Sequence, residues 1–176
     1  MLVIGIDANA AAMADASRRA SRPAARGGAP NALFVVAAAE RPPLELVEVA
    51  DELTIHFPWG SLLRGALARD RAAAGGIAAL MKRRGRLTIL TSLTARDGLG
   101  LTAIDEPGAA DALAARWNVH GLRLEAICPA TNADVAATRS SWARRLGVGR
   151  TRPAWRLAFI KATLPRAPDD VPARGR

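Results

Sequence analysis

The stretch Leu2-Val3-Ile4-Gly5-Ile6-Asp7 decides the fold class. It is apolar, partly β-branched and closed by a carboxylate, the pattern of a parallel strand buried on both faces. Working outward, Ala10 to Ser21 reads as a helix, and Arg22 and Arg26 follow in a loop containing proline and glycine. Leu33 to Ala37 is a second buried strand, running into Ala38-Ala39-Glu40. A helical stretch near Leu44 to Val49 precedes a strand at Leu53 to Phe57, and Pro58-Trp59-Gly60-Ser61 makes a turn with Ser61 as N-cap. A helix over Arg69 to Lys82 ends at Arg84-Gly85, before a strand at Arg86 to Thr91. Thr94 to Gly108 is loop-like. Next come a helix at Ala109 to Asn118, a strand at Leu122 to Cys128, a helix at Ala133 to Leu146 and a strand at Ala154 to Ile160. Strands alternating with helices predict an α/β doubly wound sheet, its last strand inserted antiparallel. One domain spans 1–163, and the Pro- and Arg-rich residues 164–176 are expected to be disordered.

The 176 residues suffice for one cored domain, and half of them are apolar. Twenty-five Lys and Arg against 16 Asp and Glu leave a net charge of +9. Such a balance points to phosphate-bearing partners, unless codon bias alone has raised the arginine count. The single Cys128 excludes an internal disulfide and fits a reducing cytoplasm. No apolar run is long enough to span a membrane.

Three constellations could carry chemistry. Asp7 at a strand end is the ribose-binding device of nucleotide-binding α/β folds, or else an N-cap. Phe57-Pro58-Trp59-Gly60 presents a large aromatic at the end of a strand. That ring can give a base a π-face, or pack over the next helix. Arg139-Ser140-Ser141-Trp142-Ala143-Arg144-Arg145, continuing to Arg150 and Arg152, embeds an aromatic in arginines. On one helix, Arg139, Trp142 and Arg145 would share a side and suit a splayed nucleotide, although Trp142 could equally pack inward. His56 reads as a strand residue, His120 lacks metal-spaced neighbours, and Cys128 lies in an apolar strand without a basic setting. No acid/base pair, P-loop or nucleophile elbow is present.

The chain resembles the aminoglycoside-resistance 16S rRNA adenine-N1 methyltransferases of the kanamycin–apramycin resistance type. The likeness rests on Ile4-Gly5-Ile6-Asp7, Arg26-Gly27-Gly28 to Asn31, Phe34 to Glu40, Phe57 to Leu63 and Ser140 to Gly147. The resemblance implies a Rossmann-like class I methyltransferase fold with S-adenosylmethionine as methyl donor. The target would be the decoding-site adenine of 16S rRNA in the 30S subunit, approached by a cytoplasmic monomer with no membrane partner. It implies that Asp7 binds the cofactor's ribose and that Ala38, Ala39 and Glu40 lie around its adenine. Trp59 and Trp142 would clamp the flipped base, while Ser140 and Arg145 hold the nucleotide. Arg150, Arg152 and the loop of Arg22 and Arg26 would grip rRNA phosphates. No metal is expected.

In that family a strand and a Gly-rich loop precede the segment that begins here at Leu2. The expectation is therefore a chain shortened at its amino end, in which the strands from Leu2 and Leu53 lose a shared neighbour and expose unpaired edges. Two other readings compete: a catalytically silent RNA-binding remnant, and a different nucleic-acid methyltransferase. A generic nucleotide-binding protein with incidental arginines is a third.

Overall fold

The structure, a computed structural model, describes residues 1–94, 97, 104, 106–145, 147–148 and 152–162, without the side chains of Ser141 and Trp142. The expected tail at 164–176, Arg150 and most of the loop from Thr94 to Gly108 lie outside the described residues.

The first part of the chain forms a βαβ unit. Strands β1 (Val3–Asp7) and β2 (Ala32–Val36) run parallel, in register from Val3 opposite Ala32 to Asp7 opposite Val36. Helix α1 (Ala10–Ala20) connects them. It starts where the Asn9 side chain accepts the Ala12 N–H at 3.0 Å, and Arg18 and Arg19 sit in its last turn, where cations suit the helix dipole. Residues 44–49 do not make the expected helix. A single 3-10 turn at Leu44–Leu46 follows Pro43, and Glu48 then takes a positive φ of 55°, which ends any helical run.

The rest builds a four-stranded sheet in the order β3-β4-β6-β5. Its strands are β3 (Ala50–His56), β4 (Met81–Thr91), β5 (Leu122–Pro129) and β6 (Trp155–Lys161). β3 and β4 are parallel, and β6 lies antiparallel to both β4 and β5, as the sequence predicts. Helices α2 (Gly60–Ala66) and α3 (Arg71–Ala79) connect β3 to β4, and α4 (Ala109–Asn118) precedes β5. The short helices α5 (Asn132–Ala137) and α6 (Ser141–Arg145) lie between β5 and β6. α3 stops at Ala79 rather than at Lys82. Arg84 (φ 64°) and Gly85 do not terminate a helix but sit within β4, where the pairing with β3 shifts between Ala50 and Glu52.

Alternation along the strands sorts the apolar side chains into two clusters. On one face Leu87 and Ile89 of β4 stand opposite Phe159 and Leu157 of β6, and α2, α3 and α4 cover them with Leu63, Ile77, Leu113 and Trp117. The Trp117 ring is fully buried and 5.4 Å from Phe159, and its indole N–H donates to the Ala66 carbonyl at 3.3 Å. Burial of each such side chain contributes roughly 1.5–3 kcal/mol. Leu90, one residue on, faces the other way and joins a smaller cluster with Phe57, Ala143, Val148 and Ala154.

The two sheets share no strand pairing. A groove of about 460 Å³ lies between them, lined by Leu2, Ile4 and Ile6 on one side and Val49, Ala50 and Leu53 on the other. The expectation of separated strands at Leu2 and Leu53 is thus met in the topology.

Candidate functional site

In an open α/β sheet the βα loops at the carboxyl ends of parallel strands form the ligand edge. Asp7 ends β1, and the Ala37 N–H donates to its carbonyl at 3.1 Å, which draws the Ala38 to Glu40 segment alongside it. One Asp7 carboxylate oxygen accepts the Asn9 N–H at 2.7 Å. Asp7 is therefore not the N-cap of α1, since Asn9 has that role. Ala39 carries a second constraint. A Cβ placed on Gly76 of α3 would lie 1.8 Å from the Ala39 carbonyl oxygen, so only glycine lets α3 approach this turn.

Arg22 and Arg26 lie elsewhere. Helix α1 carries the chain back from the end of β1 to the beginning of β2, so their loop sits at the end of this unit opposite Asp7. Both side chains are exposed, with Arg26 in a 3-10 turn closed by Gly27 at φ 79°.

The second group gathers at the carboxyl edge of the four-stranded sheet. Trp59 follows β3 and is 71% exposed, a large apolar surface held out by its backbone. It is itself the N-cap of α2, because the helix starts at Gly60 and not after Ser61. Beneath it Phe57 and Pro58 are buried. His56, the last residue of β3, has its pKa lowered by desolvation of the ring.

The expected helix over Ala133 to Leu146 is broken. α5 ends at Ala137, and Arg139 takes a positive φ of 51°, so Arg139 does not share a helix side with Trp142 and Arg145. α6 restarts at Ser141, with the Ser140 hydroxyl oxygen accepting the Ala143 N–H at 3.1 Å. Trp142 is thus in the first turn of a short helix, and Arg144 and Arg145 are exposed in its last turn. At the start of α5 the Asp134 carboxylate is held below its usual pKa by hydrogen bonds from the Thr131 backbone N–H and hydroxyl.

Arg152 is not a free surface cation. Its guanidinium lies 3.8 Å from the Asp97 carboxylate and donates to the Thr94 hydroxyl at 3.5 Å, and Asp97 in turn accepts the Thr94 N–H at 2.7 Å. No feature of the sequence pairs residues so far apart. Nearby, Thr91 opposes Trp155 in the sheet. The Thr91 and Ser92 hydroxyls, Arg152 Nε and Trp155 Nε1 are buried without a hydrogen-bond partner among the described residues, an unusual density of unmatched polar atoms for one sheet edge. Cys128 also has a basic neighbour after all. Arg156 stands directly across from it, its pKa raised by a hydrogen bond with the thiol. Alternation along two strands hid that pairing.

Among the described residues no group of His, Cys, Asp and Glu could hold a metal ion, and no helix is long and apolar enough to cross a membrane. The candidate site consists of an acidic strand end and an aromatic, arginine-flanked edge.

Comparison with known proteins identifies the family. A family model described as NpmA, 16S rRNA (adenine(1408)-N(1))-methyltransferase, matches residues 1–160. A protein of that description from Escherichia coli is 30% identical over 164 residues, covering 88% of this chain and 74% of its own length. One from Streptoalloteichus tenebrarius is 35% identical over 157 residues, covering 86% and 72%. Among solved structures, a tryptophan-to-alanine mutant of the enzyme from Catenulisporales acidiphilia, with its cosubstrate SAM, superposes with a TM-score of 0.80 at 31% identity, over 95% of this chain and 77% of that one. KamB, a 16S rRNA methyltransferase, gives 0.76 at 31% identity, over 92% and 77%. The matched span takes in β1 through almost all of β6, and the chain belongs to the 16S rRNA (adenine(1408)-N(1))-methyltransferase family.

Proposed function

We propose that this chain serves methyl transfer from S-adenosylmethionine to N1 of the decoding-site adenine of 16S rRNA, in the 30S subunit, giving aminoglycoside resistance. It acts as a cytoplasmic monomer through its single domain of residues 1–163. The observation that carries the reading is the exposed Trp59, held over a buried Phe57-Pro58 base at the same sheet edge as the arginine-flanked α6.

The residues at the end of the β1–β2 unit fit the adenosine half of the donor. Asp7 keeps one carboxylate oxygen beyond its Asn9 contact for ribose hydroxyls, and Ala38 and Ala39 offer a small-residue surface beside it, with Glu40 following. When bound, S-adenosylmethionine supplies a methyl group on a positively charged sulfur. Adenine N1 carries a free lone pair at neutral pH, so no side chain has to remove a proton. The chain's task is to place two reactants in line. Trp59 and Trp142 take the two faces of the flipped base. Stacking worth roughly 1–3 kcal/mol per base offsets an unstacking cost of a few kcal/mol. Ser140 and Arg145 hold the nucleotide, and Arg22, Arg26, Arg150 and Arg152 meet phosphates. For Arg152 this requires exchanging Asp97 for a phosphate.

The test is to incubate purified 30S subunits with labelled S-adenosylmethionine and the chain, then map the modified base by primer extension. Label at the decoding-site adenine, lost in Trp59→Ala, is the expected result. A second reading, RNA binding without catalysis, draws on the absence of strand pairing between the β1–β2 unit and the main sheet. It predicts salt-sensitive RNA binding with no thermal shift on adding S-adenosylmethionine.

A further inference from the structure

Phe57 is neither in the main core nor on the surface. It is only 3% exposed, yet it belongs to the small cluster on the far face of the sheet, with Leu90, Ala143, Val148 and Ala154, and with Ala130 and Val135 packed against it. It also takes a φ of 48°, a left-handed conformation that a bulky aromatic rarely adopts. Its N–H donates to the Leu90 carbonyl at 2.7 Å, so the last pairing of β3 with β4 is kept while the chain turns toward Pro58 and Trp59.

The other members of this cluster come from the opposite side of the candidate site. Ala143, 1% exposed, follows Trp142 directly in α6, and its carbonyl accepts the Val148 N–H at 3.1 Å. Ala154 leads into β6, and its carbonyl accepts the Ala130 N–H at 2.8 Å, which anchors the end of β5 to the same spot. The two tryptophan-bearing segments are far apart in sequence and in different loops, and this cluster is where they are fastened to one another. The residue that roots one segment lies two positions before Trp59. The residue that roots the other lies one position after Trp142.

We infer that Phe57 is a positioning residue for the target base: its ring, wedged into the cluster that holds Ala143, fixes the separation between the Trp59 turn and α6. This rests on the reading of Trp59 and Trp142 as a base clamp. It adds that the spacing of the clamp is set from beneath, by packing. The strained backbone at Phe57 fits that role, since glycine would make the turn at lower cost but could not supply the wedge.

The experiment uses the full chain and a decoding-site RNA hairpin with 2-aminopurine at the target adenine. Fluorescence of the substituted base reports capture between aromatic rings, and binding of an end-labelled copy reports overall RNA affinity. Phe57→Gly and Phe57→Leu should each weaken base capture about tenfold with overall affinity changed less than twofold. Ala143→Val, which crowds the cluster from the other side, should do the same. Combining Phe57→Leu with Ala143→Val should depart from additivity at least threefold. Far-ultraviolet circular dichroism checks that each variant is folded. Should Phe57→Leu unfold, Ala143→Val alone tests the same packing. If Phe57→Gly captures the base as well as the parent, the residue serves only the turn and the inference is wrong. Additive effects of the two substitutions also overturn it. If Trp59→Ala and Trp142→Ala leave base capture unchanged, the clamp itself is wrong and the inference goes with it. If both tryptophan variants lose capture and the Phe57 and Ala143 variants do not, the clamp stands and only the inference is lost.

Discussion

The first fifty residues and the rest of the chain use similar sequence to different ends. Both contain apolar, β-branched strands followed by polar turns, and both form parallel pairs. Yet no residue among the first fifty is buried, and Met1, Leu2, Val3, Leu33 and Val36 are among the exposed large apolar side chains. From Ile55 onward the same kinds of residue make a continuous core. The difference lies in the neighbours and not in the strands. β4 has β3 on one edge and β6 on the other, with helices over it. β1 has β2 on one edge and the groove on the other. A strand's hydrophobicity states what it could bury, and only a packed partner turns that into stability.

The sharpest way to break this comparison is to remove apolar bulk from each side. Trp117→Ala should cost about 3–5 kcal/mol in chemical denaturation, as a fully buried ring with a hydrogen-bonded indole would. Ile6→Ala, at a half-buried position, should cost less than about 1 kcal/mol. Equal costs would mean that the β1–β2 unit unfolds as one body with the main core.

Two helix caps offer a finer test. Asp70 accepts N–H groups from Ala72 and Ala73 at the start of α3, and Asn9 accepts one at the start of α1. Asp70→Ala should lower global stability by about 1 kcal/mol. Asn9→Ala breaks the same kind of bond, but should speed amide exchange only within α1 and leave the global midpoint in place. A shift of that midpoint would show that the two regions are coupled more tightly than their contacts suggest.

The smallest effect is one of pH. Hydrogen bonds from Thr131 lower the Asp134 pKa in the fold, so their support of α5 is full above the ordinary carboxylate range and fades as pH falls through the lowered value. Protection of the first amides of α5, taken relative to their intrinsic exchange rates, should fall in acid, and Asp134→Asn should remove that dependence.

Much of the fold was legible because it follows from periodicity. The run ending at Asp7, the Phe57-Pro58-Trp59 turn, α4 and the antiparallel last strand lie where the pattern puts them. The misplaced boundaries have a common cause. Glu48 and Arg139 take positive φ values that nothing in their side chains announces, and they end or divide helices that propensity alone would continue, while Arg84 takes one inside β4. Among the candidate site residues, Asp7 and Trp59 lie at strand ends where the sequence puts them, whereas α6 was hidden inside a longer expected helix. The Arg152–Asp97 pair and the Arg156–Cys128 contact were not legible, because each depends on strand register or loop closure between distant residues.

The position of β6 has a consequence for how the molecule is made. This strand comes after β5 in the chain yet lies between β4 and β5, bonded to both. While the polypeptide is being synthesised, β5 has nothing to pair with until Trp155 to Lys161 have left the ribosome. Lys161 then ties the strand's end to the Ala78 and Met81 carbonyls, residues made much earlier. The large sheet therefore closes late and all at once. A protein assembled this way should fold slowly for its size, because its middle strand depends on contacts between parts of the chain that are far apart in sequence.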